Sequence, residues 1–107
     1  MASVKVKETV AANPVVVFSK AYCPYCLSVK NLLQQVGASF MTVELDTESD
    51  GSEMQAALLE WTGLRSVPNV FIGGNHIGGC DTTTGLHQQG KLISLLTEAG
   101  ALAKPSA

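Results

Sequence analysis

The stretch from residue 15 to residue 26 constrains this chain more than any other. Val15-Val16-Val17-Phe18 is an unbroken apolar run, and Cys23-Pro24-Tyr25-Cys26 follows it almost at once. A short run rich in β-branched residues, with no polar alternation, predicts a strand at 15–19 covered on both faces. Beyond it, residues 24–36 carry Val29, Leu32, Leu33 and Val36 on one helical face, with Gly37 just past the last of them. That pattern predicts an amphipathic helix and its stop. Residues 40–45, with Met41, Val43 and Leu45 in alternation, predict a second strand. Strand, helix and strand in this order form a β-α-β unit, whose right-handed crossover sets the two strands parallel.

The flanking segments fit around that unit. Residues 3–12 predict a first helix, with Ser3 as its cap and Val6 and Val10 at helical spacing, broken by Asn13-Pro14. Residues 46–51 read as a polar loop. Ser52 and Gln55 have the spacing of a capping box, and Met54, Leu58 and Trp61 follow on one face, which places Trp61 in the core. Gly63 ends that helix. Apolar runs at 70–72 and 76–77 flank Gly73-Gly74-Asn75 and predict an antiparallel hairpin. Asp81 can cap a helix that starts at Thr82, and Gly90 separates it from a last helix carrying Leu92, Leu95 and Leu96. The tail from Lys104 is expected to fray. The expected fold is α/β, a mixed four-stranded sheet flanked by helices.

A length of 107 residues is enough for one core and leaves no room for a second lobe, so 1–107 is read as a single domain with its core at about 3–100. Only 15% of residues are charged and nearly half are apolar, which excludes a disordered chain. Seven basic and nine acidic residues give a net charge of −2, and this gives no electrostatic reason to expect nucleic acid or an anionic membrane. No apolar run is long enough to span a bilayer. The first nine residues lack both a secretory h-region and the arginines of a transit peptide. A cytoplasmic location is the expectation, shared by any chain already trimmed of a targeting segment.

The three cysteines are Cys23, Cys26 and Cys80. An odd count in a short chain argues against a disulfide framework, and the C-x-x-C pair reads as redox catalysis or metal binding. Cys23 would lie at the start of a helix, where free N–H groups and the helix dipole stabilise an anionic sulfur. Pro24 suits the first helical position, and Lys20 adds positive charge nearby. Cys26 falls one turn later on the same face and deeper in the helix. Cys23 is therefore the attacking thiol and Cys26 the resolving one. A structural zinc would need four ligands. Beyond the pair only Cys80, His76 and His87 could contribute, so no metal is expected; the two histidines are read as surface residues.

Cys23-Pro24-Tyr25-Cys26 after the 15–20 run resembles the dithiol glutaredoxins with a C-P-Y-C centre, in the thioredoxin-like superfamily. The resemblance continues through Gln55, Thr62-Gly63, Ser66-Val67-Pro68, Asn69-Val70-Phe71-Ile72 and His76-Ile77-Gly78-Gly79-Cys80-Asp81, and covers about residues 3–100. It implies a thioredoxin-like fold and glutathione as electron donor. In that reading the chain is a monomer that reduces glutathionylated thiols and protein disulfides through a Cys23 mixed disulfide. The resemblance also assigns binding residues. Lys20 and Gln55 correspond to positions that hold the glycine carboxylate of glutathione. Val67 pairs through its backbone with the cysteine moiety, next to a cis-Pro68. Asp81 and Thr82 hold the γ-glutamyl end, and Tyr25 lines the groove. Each residue also has a plainer reading: Lys20 as a solvated lysine, Gln55 as a capping-box partner, Asp81 as an N-cap, Gly78-Gly79 as a turn.

Two departures and two competing functions remain. Ser66 stands where the family commonly has threonine, which keeps the hydroxyl. Cys80 is read as a small residue filling a tight loop, with a spare thiol, a glutathionylation target or a contact in an oxidised dimer as alternatives. One competing function is a dimer holding a 2Fe–2S cluster with one Cys23 thiolate and one glutathione per subunit, acting as scaffold or carrier; thiolates suit such a cluster. Pro24 weighs against it, because cluster-binding relatives often have a smaller residue there. The other is a thioredoxin, whose W-C-G-P-C is absent.

Overall fold

The computed structural model describes residues 1–102; the expected fraying from Lys104 lies outside them. Along the chain run α1 (Ala2–Ala12), β1 (Val15–Ser19), α2 (Pro24–Gln35), β2 (Met41–Glu44), α3 (Gly51–Thr62), β3 (Asn69–Ile72), β4 (Asn75–Gly78), α4 (Cys80–Gln88) and α5 (Lys91–Glu98). The strands form one sheet in the order β2-β1-β3-β4. β1 and β2 are parallel, with Val16 opposite Met41 and Phe18 opposite Val43, as the crossover requires. β1–β3 and β3–β4 are antiparallel. This is the α/β thioredoxin-like architecture, a mixed four-stranded sheet flanked by helices.

Alternation along β1 divides the interior in two. Val16 and Phe18 point, with Phe71 of β3, toward Val6 and Val10 of α1 and Met54 and Leu58 of α3. Val15 and Val17 point, with Val70 and Ile72, toward Val29 and Leu33 of α2 and Leu92 and Leu96 of α5. Both faces of the sheet are therefore covered, and every residue of β1 is buried, as its unbroken apolar run predicts. No helix among the described residues is long and apolar enough to cross a membrane.

Several local expectations are corrected. α1 starts at Ala2, and Ser3 does not cap it. α3 starts at Gly51, inside the expected loop, and the capping box does not form. Ser52 contacts Glu53 instead, and the Gln55 amide donates to Arg65 O at 2.8 Å. Met41 is exposed because β2 is an edge strand of only four residues. Trp61 is not core; it keeps 39% exposure. One indole face stacks on Phe71, with centroids 5.0 Å apart, and the Lys7 ammonium lies 5.4 Å from the ring centre. Gly73 and Gly74 alone make the hairpin turn, with φ of 60° and 81°, so Asn75 belongs to β4. Asp81 does not cap α4: that helix begins one residue earlier, at Cys80, with Gly79 at its N-cap.

Candidate active site

β1 delivers the chain to the head of α2, where Cys23 occupies the N-cap and Pro24 the first turn. Proline costs nothing there, because the first N–H groups of a helix have no partner within it. The Cys26 N–H donates to Cys23 Sγ at 3.3 Å, so the sulfur takes the place of the usual capping oxygen. The Cys23 thiol also faces Val67 O, 3.8 Å away. Cys23 is half-buried, whereas Cys26 is fully buried, and both are free thiols. Burial pushes the Cys26 thiol up from its ordinary range. The bond with Cys23 adds to that push, and the Lys20 backbone and the Ser19 side chain oppose it.

Beside Cys23 runs a groove of about 440 Å³. Tyr25 forms one wall, Ser66, Val67 and Pro68 the floor, and Gly79, Cys80, Asp81 and Thr82 the far side. The Val67–Pro68 peptide is cis, as the resemblance implies. Of the residues singled out from sequence, the groove brings together Tyr25, Val67, Pro68, Asp81 and Thr82. Lys20 and Gln55 are half-buried and lie outside its lining. Asp81 and Thr82 sit in the first turn of α4, where free backbone N–H groups and an exposed carboxylate face the same opening. An ammonium and a carboxylate presented together on one ligand would both be satisfied there.

Cys80, expected in a tight loop, is instead the first residue of α4; it is half-buried and lines the groove, with its Sγ 3.9 Å from Thr84 Oγ1. His76 is exposed, as expected, but its Nε2 meets Asn69 Oδ1 at 2.7 Å and its ring lies against Phe71. Among the described residues no group of three histidine, cysteine or acidic side chains is placed to hold a metal ion.

Comparison with known proteins agrees with this geometry. The glutaredoxin family model matches residues 15–77. Glutaredoxin-C2 of Arabidopsis thaliana is 68% identical across 100% of this chain and 96% of its own length. The crystal structure of a buckwheat glutaredoxin–glutathione complex superposes with a TM-score of 0.95, at 60% identity over 96% of this chain and 94% of that one. The holo form of glutaredoxin C1 from Populus tremula x tremuloides gives 0.91, at 59% identity over 98% and 95%. A family model spanning more than half of the chain and a relative 68% identical along all of it agree, and the chain belongs to the glutaredoxin family and is a glutathione-dependent thiol oxidoreductase.

Proposed function

We propose that the chain works as a dithiol enzyme with a C-P-Y-C centre, in which Cys23 attacks and Cys26 resolves. The observation that carries this reading is the position of Val67, which lines the groove and at the same time faces the Cys23 sulfur. A thiol-bearing peptide paired with the Val67 backbone would hold its own sulfur against Cys23. In the monothiol route, the Cys23 thiolate attacks the glutathione sulfur of a glutathionylated substrate, and the substrate leaves as a thiolate. A second glutathione attacks the bound one, leaves as glutathione disulfide and restores Cys23. In the dithiol route, Cys23 forms a mixed disulfide with a protein, and Cys26 attacks Cys23 Sγ to free the product. A cytoplasmic location belongs to this reading, since a C-x-x-C pair in a reducing compartment reads as redox catalysis. Turnover of a glutathionylated small disulfide with glutathione as donor tests the reading directly.

Asp81 is assigned to the glutathione amine, and Thr82 with the α4 N–H groups to the neighbouring carboxylate. Tyr25 forms the groove wall, and Lys20 and Gln55, which lie outside the lining, are assigned to the glycine carboxylate. Asp81 does not cap its helix, so its removal forfeits only a first-turn dipole interaction, about 0.3–1 kcal/mol. A lost hydrogen bond to a charged group costs about 1.5–3 kcal/mol, or roughly one to two decades of affinity. Asp81→Ala is expected to weaken the apparent glutathione affinity about tenfold or more while moving the thermal midpoint by only a few degrees. A lowered midpoint with unchanged affinity would return Asp81 to a structural role.

A second reading, a glutathione-ligated 2Fe–2S dimer, draws on the likeness to the Populus holo form. Cys26 is buried, so in this reading the Cys23 sulfur of each copy and one glutathione on each side would supply the ligands. Pro24 stiffens the helix start where the cluster would approach. The purified protein is expected to be colourless and monomeric under reducing conditions, as read by visible absorbance and sedimentation. A brown anaerobic preparation that loses its colour on Cys23→Ser would reverse that choice.

A further inference from the structure

The floor of the groove belongs to a segment that main-chain bonds do not hold. Residues 64–67 run between α3 and β3, and among the described residues they make no backbone–backbone hydrogen bond. Their ties come from side chains. The Leu64 N–H donates to Thr62 Oγ1 at 3.1 Å, and the Gln55 amide donates to Arg65 O. The third tie is Asn69, the first residue of β3, whose Nδ2 donates to Leu64 O at 3.4 Å and to Thr62 Oγ1 at 3.5 Å. Asn69 is 1% exposed, and the rest of its strand, Val70, Phe71 and Ile72, is apolar. An amide is costly to bury there unless its donor and acceptor are both satisfied. The acceptor is met from β4, where His76 Nε2 lies 2.7 Å from Asn69 Oδ1. That oxygen only accepts, so the ring carries a proton on Nε2, and the bond fixes which end of the amide is turned to Leu64. The imidazole in turn lies against Phe71, with centroids 5.2 Å apart.

Asn69 therefore fixes the segment at both ends. Its main chain follows Pro68 directly and is registered opposite Phe18 of β1, and its side chain reaches back to Leu64. Between those two points lies Val67, whose carbonyl faces Cys23 Sγ at 3.8 Å. We propose that Asn69, oriented by His76, is a positioning residue for glutathione: it clamps the 64–68 segment so that the Val67 backbone stands where a bound thiol-bearing peptide can pair with it beside Cys23. The inference rests on the pairing of glutathione with Val67 proposed above. Neither side chain lines the groove, so both act through the segment and not on the ligand. The clamp sets the affinity of the groove, while the reactivity of the Cys23 sulfur, held by the head of α2, does not pass through it.

The test follows alkylation of Cys23 by iodoacetamide, read at that residue by peptide mass spectrometry, against rising concentrations of S-methylglutathione, which has the shape of the ligand and no thiol. The rate without ligand reports the sulfur, and the midpoint of protection reports the groove. Asn69→Asp keeps the acceptor for His76 and loses the donor to Leu64 O. His76→Ala removes the donor to Asn69, whereas His76→Gln places an amide N–H the same number of bonds from the main chain. Asn69→Asp is expected to raise the midpoint about tenfold, the equivalent of one lost hydrogen bond between ligand and Val67, with the ligand-free rate unchanged. His76→Ala is expected to raise it by a smaller factor, and His76→Gln to recover it. An unchanged midpoint in either loss variant, a ligand-free rate that shifts along with it, or no recovery in His76→Gln would overturn the clamp and leave Asn69 a core residue only. If Asn69→Asp fails to fold, the two variants at the exposed His76 carry the comparison. If S-methylglutathione does not protect the unaltered protein, the Val67 pairing itself fails and takes the clamp with it.

Discussion

Cys23→Ser is expected to abolish both deglutathionylation and protein-disulfide reduction, whereas Cys26→Ser should keep most of the first and lose most of the second. Serine at position 23 can still cap α2, so the fold should survive and the loss should lie in the chemistry. A hydroxyl is hardly ionised at neutral pH and cannot form the mixed disulfide, so neither route begins. Cys26 takes no part in the monothiol route. Its replacement even removes the unproductive internal disulfide, which can raise that rate. The protein-disulfide route stalls without it, because the mixed bond then loses the thiol one helical turn away that would attack it. Steady-state assays of both variants on both substrates decide the matter. Equal loss of deglutathionylation in the two would show that the attacking and resolving roles are assigned wrongly.

The largest stability effect is expected at a residue far from either cysteine in sequence. Gly51 is buried at the first position of α3, and a Cβ built there would sit 1.7 Å from Leu45 O and 2.8 Å from Leu45 C. That carbonyl cannot easily retreat, because the Leu45 N–H is bound to Ser19 O at 2.8 Å and the Leu45 side chain is buried among α1, α3 and the sheet. Overpacking a core commonly costs about 1–3 kcal/mol, and a clash against held backbone belongs at or above the top of that range. Gly51→Ala should therefore lose about 3 kcal/mol or more, lowering the thermal midpoint on the order of 15 °C. Urea or thermal unfolding measures it, and an unchanged midpoint would show that the α3 entrance has slack.

The parts of the molecule legible in the sequence are those set by local pattern. β1, α2 and the parallel crossover follow from one apolar run and one amphipathic period, and the thiol at the head of α2 follows from their adjacency. Gly51 was illegible because its constraint comes from Leu45 across a polar loop, and no local signal marks an approach of that kind. Ser52 and Gln55 have capping-box spacing, but Arg65 O is a better partner for the Gln55 amide once the chain after Gly63 folds back. Trp61 has core spacing, yet α3 ends at the sheet margin, so only one indole face is covered. Asp81 misled for a related reason: Gly79 can adopt the cap conformation without a side chain, which leaves the carboxylate for the groove. Five of the site residues assigned through the resemblance meet around that groove, although nothing in their separate sequence neighbourhoods shows it.

β1 is paired along both edges, with β2 on one side and β3 on the other, and none of its residues reaches solvent. Such a strand should be among the last to exchange its amide hydrogens, since releasing it means dismantling the whole sheet. The nucleophile hangs from the end of this strand, while the far wall of the groove belongs to the first turn of α4, beyond the β4 margin. α4 packs on α2, whose head carries Cys23, so the groove's far wall and the nucleophile share one helix contact, and a change in α4 is expected to be felt at the sulfur as well as in ligand affinity.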